Sequence, residues 1–218
     1  MKRVIFLVLL FSALPVFAAY PGVFQKDSGA SLNASLVSYW KLDTNATDYY
    51  GTNNGTEIGE FSHPAGKYRN GVLLSAGSTN GRVQFTSDFS LSTAGASVAF
   101  WVNIDSSRTG SVDLITNQAG EGASEIYSRS NAEGNNLKWF DGTNDILFGS
   151  SALPHDSAWH FVAVIVKSTS AIDVQIEGTL VSYTCLTVVS GNIGHLSRNY
   201  ATYNCTACTF DEIGMWNK

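Results

Sequence analysis

The chain has 218 residues, of which only 14% are charged and 12% are aromatic, with 20 Gly and a formal net charge of −5. The acidic balance argues against nucleic acid and anionic lipid as partners, because both need a basic face. Length and composition suit one well-cored β domain made of many short strands and tight turns.

Met1-Lys2-Arg3 precedes an apolar run from Val4 to Phe17, and Ala18 follows. A basic start, an apolar stretch and a small residue at its end predict a secretory signal over residues 1–18, cut after Ala18, with a cut after Ala19 as the alternative. The run is shorter than the roughly 20 residues of a bilayer span, so no membrane insertion is expected after cleavage. Loss of Lys2 and Arg3 makes the exported chain more acidic. Residues 19–34 contain Pro21 and no periodicity and read as a leader into a domain at 35–218, with no second domain expected after Trp216. The expected location is secreted and extracellular.

From Leu36 onward the pattern is strand, turn, strand. Leu36–Leu42 is β-branched and aromatic, and Asp48–Thr56 is a turn cluster. Gly71–Leu74 and Arg82–Phe85 flank Asn80-Gly81, which predicts a hairpin. Ser97–Ile104 alternates, with Val98, Phe100, Val102 and Ile104 on one face. Asn135–Asp141 reads as a hairpin carrying Trp139. Trp159–Val166 is almost wholly apolar, the pattern of a strand buried on both faces. Asp173–Glu177 alternates, Gly178 turns the chain, and Phe210–Trp216 closes the domain. Roughly a dozen strands and no sustained helical period point to a sandwich or barrel. Trp40, Trp101, Trp159 and Trp216, set among apolar neighbours, are expected in the core.

Four segments, in order, resemble the laminin-G-like jelly-roll domains of the concanavalin A-like lectin/glucanase superfamily. Leu36-Val37-Ser38-Tyr39-Trp40-Lys41-Leu42-Asp43 is similar to the family's opening strand. Asp48-Tyr49-Tyr50-Gly51-Thr52-Asn53-Asn54-Gly55-Thr56 resembles its Asp-Ser-Ser-Gly-Asn-Gly-Asn-x-Gly-Thr turn. Ala99–Val102 and Trp159–Ala163 look like its central strands, and Phe210–Asn217 like its closing strand. The resemblance implies an all-β, two-sheet antiparallel jelly-roll sandwich. It departs from the family where Leu74-Ser75-Ala76-Gly77-Ser78 stands in place of a Phe-Asp-Gly turn, so the acid of that turn is missing. The resemblance also implies neighbouring first and last strands and a structural calcium ion at that edge. Asp43, Asp48, Asn53 and Asp211 are the candidate ligands, with carbonyls near Gly51, since calcium takes oxygen donors.

Glucanases of the superfamily carry a Glu-x-Asp-x-x-Glu strand, whose alternate residues point two acids at one glycosidic bond. That pattern is absent here, and so is a Gly-x-Ser-x-Gly elbow. Glu121 and Glu125, and Asp141 and Asp145, are acid pairs in loops or turns. The expectation is therefore a secreted non-catalytic module that binds carbohydrate or mediates adhesion. The alternatives are a structural or protein-interaction domain of an extracellular assembly, and a glycoside hydrolase with an unusual acid pair. Trp139, Tyr49, Tyr50, Tyr200 and Tyr203 lie in or beside predicted loops and are candidate sugar contacts. Of the three cysteines, Cys185 is expected to bridge to Cys205 or Cys208. Asn33, Asn45, Asn54 and Asn204 open glycosylation sequons.

Overall fold

The computed structural model describes residues 35–75, 81–92, 94–117, 125–128, 134–140, 145–184, 191–197 and 207–217. The signal, the leader, Tyr200, Tyr203, Cys185 and Cys205 lie outside the described residues. The strands are β1 (Leu36–Trp40), β2 (Gly55–Ile58), β3 (Phe61–Ser62), β4 (Val72–Leu74), β5 (Arg82–Ser90), β6 (Ser97–Ile104), β7 (Val112–Thr116) and β8 (Glu125–Ser128). They continue as β9 (Asn136–Phe140), β10 (Asp145–Ala152), β11 (Trp159–Ser168), β12 (Ala171–Ile176), β13 (Thr179–Thr184), β14 (Asn192–Leu196) and β15 (Cys208–Trp216).

They form two antiparallel sheets. The larger has eight strands in the order β13-β12-β11-β6-β15-β4-β3, with β1 pairing β15 off this path; the smaller has seven, ordered β10-β9-β8-β7-β14-β5-β2. This is the expected jelly-roll sandwich. The first and last strands are neighbours, as Tyr39 pairs with Gly214 and Trp40 with Ile213.

The core follows from the two-residue period of a strand. Val98, Phe100, Val102 and Ile104 of β6 are fully buried, as are Val162, Val164 and Val166 of β11 and Ile172 and Val174 of β12. The facing sheet contributes Val83, Phe85, Leu114, Ile115 and Leu196. Burying each such side chain stabilises by about 1.5–3 kcal/mol. Trp40 of the larger sheet stacks on Phe85 of the smaller, with ring centroids 4.3 Å apart, and so locks the layers together.

Three expectations fail, each for a reason of sheet topology or strand phase. The segments flanking Asn80-Gly81 are no hairpin: β4 lies in the larger sheet and β5 in the smaller, so the chain crosses the sandwich there. Among the tryptophans expected inside, only Trp40 is in the core. Trp101, Trp159 and Trp216 are half-buried because their positions fall on the outward phase of their strands. Likewise β11 is apolar on both faces, yet its outward Trp159, Phe161 and Ile165 remain partly exposed.

Candidate functional site

The expected ligands separate into two groups. Asp48 is 7% exposed. Its Oδ1 accepts the N–H of Tyr39 at 3.0 Å, Tyr50 at 3.0 Å and Gly51 at 2.8 Å, and its Oδ2 that of Asn53 at 3.0 Å. A carboxylate with its lone pairs so used shapes a turn. Gly51 must lack a side chain, since a Cβ would stand 2.4 Å from the Val37 carbonyl oxygen. Asn53 is committed too: its amide donates to the Ser87 carbonyl at 2.9 Å, and its Oδ1 accepts the Ser87 N–H at 2.8 Å. Both expected ligands instead anchor the turn onto β1 and β5.

Asp211 differs. It is fully buried on β15; its Oδ2 accepts the Tyr68 N–H at 2.7 Å, and its Oδ1 has no partner. Burial first, and the charge of Asp43 as well, raise its pKa to about 7 against several backbone N–H donors. Asp43 accepts the Asn70 N–H at 3.3 Å, and exposed Arg69 reaches its Oδ2 at 4.0 Å. Both acids thus accept backbone N–H groups of the same loop, at Tyr68 and Asn70, and the charge of Asp43 is felt at Asp211. The next residue, Glu212, sits on a bulge with φ of 50° and accepts a hydrogen bond from the Tyr39 hydroxyl. Burial raises its pKa to about 7. Asp48 and Asn53 are engaged in the turn, while Asp211 Oδ1 has no hydrogen-bond partner. Among the described residues no group of three or more His, Cys, Asp or Glu side chains could hold a metal ion.

Trp139 is not a surface contact. It is 1% exposed and belongs to the core. Pairing registers give the reason. Across the smaller sheet, Val83, Leu196, Ile115, Ile126 and Trp139 form one inward row. The rows on either side point outward: Asp113, Tyr127 and Lys138 in one, and Gln84, His195, Thr116, Glu125 and Phe140 in the other. Lys138, one residue before Trp139, therefore faces away from the core.

This outer face was not anticipated from sequence. It carries acids, a lysine, a histidine, an amide and two aromatic rings on adjacent strands, yet Asp113, Thr116, Tyr127, Lys138 and His195 are each at most 9% exposed. Outward polar side chains so enclosed are unlike an ordinary solvated sheet face. Burial first, then the charge of Glu125, raises the Asp113 pKa to about 8, opposed by Arg108. His195 places Nδ1 3.1 Å from the Asn117 carbonyl oxygen.

Other side chains considered lie apart from this face. Tyr49 is 49% exposed, and Lys41 Nζ lies 4.5 Å from its ring centroid. Tyr50 is half-buried. Ser128 Oγ contacts His155 Nε2 at 2.9 Å, but Ser128 is fully buried and the other ring nitrogen meets the Arg108 carbonyl oxygen at 3.1 Å rather than a carboxylate. Burial lowers the His155 pKa. That arrangement ties two loops together and exposes no nucleophile. His160 bonds Asp156 at 2.9 Å. Cys208 is fully buried and disulfide-bonded, with its partner outside the described residues.

Among solved structures, the chain is similar to domain 4 of AbnA, a GH43 extracellular arabinanase from Geobacillus stearothermophilus, in complex with arabinotriose: TM-score 0.65, 17% identity, covering 84% of this chain and 92% of that one. It is also similar to a structure of botulinum neurotoxin type C, described as entering cells through two ganglioside molecules, with TM-score 0.64 and 16% identity over 87% of this chain. A third likeness is the binding domain of botulinum neurotoxin DC in complex with SialylT, with TM-score 0.63 and 17% identity over 85% of this chain. The chain spans 49% and 48% of those two toxin chains. Such identities carry the fold alone. No curated protein matches this sequence. The Laminin_G_3 family model, described as "Concanavalin A-like lectin/glucanases superfamily", matches residues 77–203.

Proposed function

This chain belongs to the concanavalin A-like lectin/glucanase superfamily, and from that premise we propose that it is an extracellular, non-catalytic carbohydrate-binding module. One observation carries the reading: the outer face of the smaller sheet, on which Gln84, Glu125 and Phe140 share one row and are partly exposed. An amide and a carboxylate are groups that bond sugar hydroxyls, and the Phe140 ring is one that an apolar sugar face can cover. The saccharides named for the arabinanase domain and the toxin binding domain support the same class of ligand. Export fits the apolar leader and the disulfide at Cys208, since disulfides persist in oxidising compartments. The purified chain, applied to a glycan array, is expected to show saturable binding that Gln84→Ala and Phe140→Ala each weaken about tenfold or more. A blank array, or binding untouched by both substitutions, would sink the reading.

The proposal includes a structural calcium ion held by Asp43 and Asp211. Support comes from the open Oδ1 of Asp211 beside a second acid. A hard cation there would offset the mutual repulsion of the acids. Calcium is expected to raise the melting temperature by several degrees in the native chain and by about nothing in Asp211→Asn. Equal shifts in both proteins would remove the ion from this position.

A further inference from the structure

We propose that the outer edge of β13 pairs with the same strand of a second copy of this chain, antiparallel and about a twofold axis, so that two larger sheets join into one continuous sheet.

The sheet edges differ from one another. An edge strand offers a row of unpaired backbone N–H and C=O groups, and folded proteins blunt it by shortness, charge, bulges or cover. β3 has two residues, and β2 has four, one of them Glu57. β10 begins with Asp145 and shifts register between Leu147 and Ala152. β1 is covered by the turn that follows it, where the Tyr49 N–H donates to the Tyr39 carbonyl oxygen at 2.7 Å and Asp48 bridges Trp40. β13 has none of these devices. Its sequence, Thr-Leu-Val-Ser-Tyr-Thr, contains no charge, no Pro and no Gly. It pairs with β12 over six successive residues without a register shift. Among the described residues no strand pairs with its other side, and not one of its six residues is buried. Leu180, 55% exposed, points away from the core, since it lies opposite Gln175 while Val181 lies opposite buried Val174.

Charge and symmetry select the occupant. The chain has a net charge of −5, so two copies repel as wholes. β13 carries none of the acids and is a neutral line along which they can meet. A strand edge is also its own complement. Antiparallel pairing takes the same alternation of donors and acceptors from both partners, so a twofold axis closes the contact with no third component. Residues directly opposite in such a pair share a face, which sets the axis normal to the sheet. Leu180, Ser182 and Thr184 of both copies then lie on one outer surface. The two smaller sheets lie on the same side of the joined sheet, with their outer faces turned the same way. Binding to a glycan-bearing surface thereby becomes bivalent, a consequence that rests on the glycan-binding reading; the pairing itself does not.

The test begins without any glycan. Sedimentation of the purified chain is expected to show a dimer at micromolar concentration. Leu180→Lys and Leu180→Glu each set like charges beside the axis and should each weaken self-association about tenfold or more, with an unchanged circular dichroism spectrum because the side chain lies in water. An equal mixture of the two variants should regain the dimer, which singles out a contact in which β13 meets itself. A monomer at every concentration up to about 0.1 mM overturns the proposal, and so does a dimer that both variants leave intact. If a variant misfolds, amide hydrogen exchange of the native chain decides: β13 amides that slow as concentration rises support the pairing, and amides that stay fast overturn it. A dimer that holds a glycan-coated surface no more tightly than the monomeric Leu180→Lys form overturns the bivalence alone.

Discussion

At the scale of the residue, Asp48 shows how one carboxylate builds a loop. It gathers four backbone N–H groups from Tyr39, Tyr50, Gly51 and Asn53. Hydrogen bonds to a charged acceptor contribute about 1.5–3 kcal/mol each, and buried donors left without a partner cost further. Asp48→Ala is therefore expected to destabilise by about 4 kcal/mol, and Asp48→Asn by about half that, read by urea unfolding. A change under about 1 kcal/mol for the alanine variant would contradict the turn-shaping role. The sequence pointed to Asp48 but left open whether turn or metal used it, because spacing does not reveal which oxygens are already taken. Trp139 failed for a different reason. Leu137 and Trp139 share a strand face, and Lys138 takes the other, so period two already paired the tryptophan with a core leucine. Its size, read alone, suggested a sugar platform. Asp113, Tyr127 and His195 come from three strands scattered over some 80 residues of chain, and only the pairing register brings them onto one face.

At the scale of the element, β15 does the most. Its bulge at Glu212 shifts the register between Asp211 and Gly214, which leaves both of those residues outward and Phe210, Ile213 and Met215 buried. The sequence shows the strand but gives no sign of the bulge, since Glu is no usual choice for positive φ. Trp216 then folds over Gly214, where a Cβ would lie 2.3 Å from the ring. Gly214→Ala must push that ring away, and overpacking of this kind costs about 1–3 kcal/mol. The expected readout is a lower melting temperature together with a red-shifted tryptophan emission as the ring moves into water. An unchanged spectrum would show that the ring does not rest there. The β12–β13 hairpin, by contrast, was legible: Glu177 and Gly178, with φ of 49° and 82°, form the two-residue turn that closes it. The crossing between β4 and β5 was not legible, because a turn dipeptide signals reversal and says nothing about which sheet receives the next strand.

At the scale of the whole molecule, the two sheets make opposite use of their outer surfaces. The larger presents Trp101, Phe161 and Trp216 half-buried, with Lys67 Nζ 4.2 Å from the Trp101 ring centroid. The smaller presents titratable groups. The ordered motifs carried the class of fold, since each lies in a strand or turn whose local chemistry is specific. They gave no sign of the polar outer face, because that face is a product of long-range pairing. The same pairing governs assembly. Residues 208–216 form β15, which lies inside the larger sheet between β6 and β4 and also pairs with β1. A chain ending at residue 207 lacks that central strand and is expected to give no cooperative thermal transition; a native-like transition would contradict this.

That position of β15 also bears on the order of events in the cell. While the chain is being made, β1, β4 and β6 each lack a neighbour until residues 208–216 have emerged. The larger sheet is therefore completed only when that strand takes its place between them.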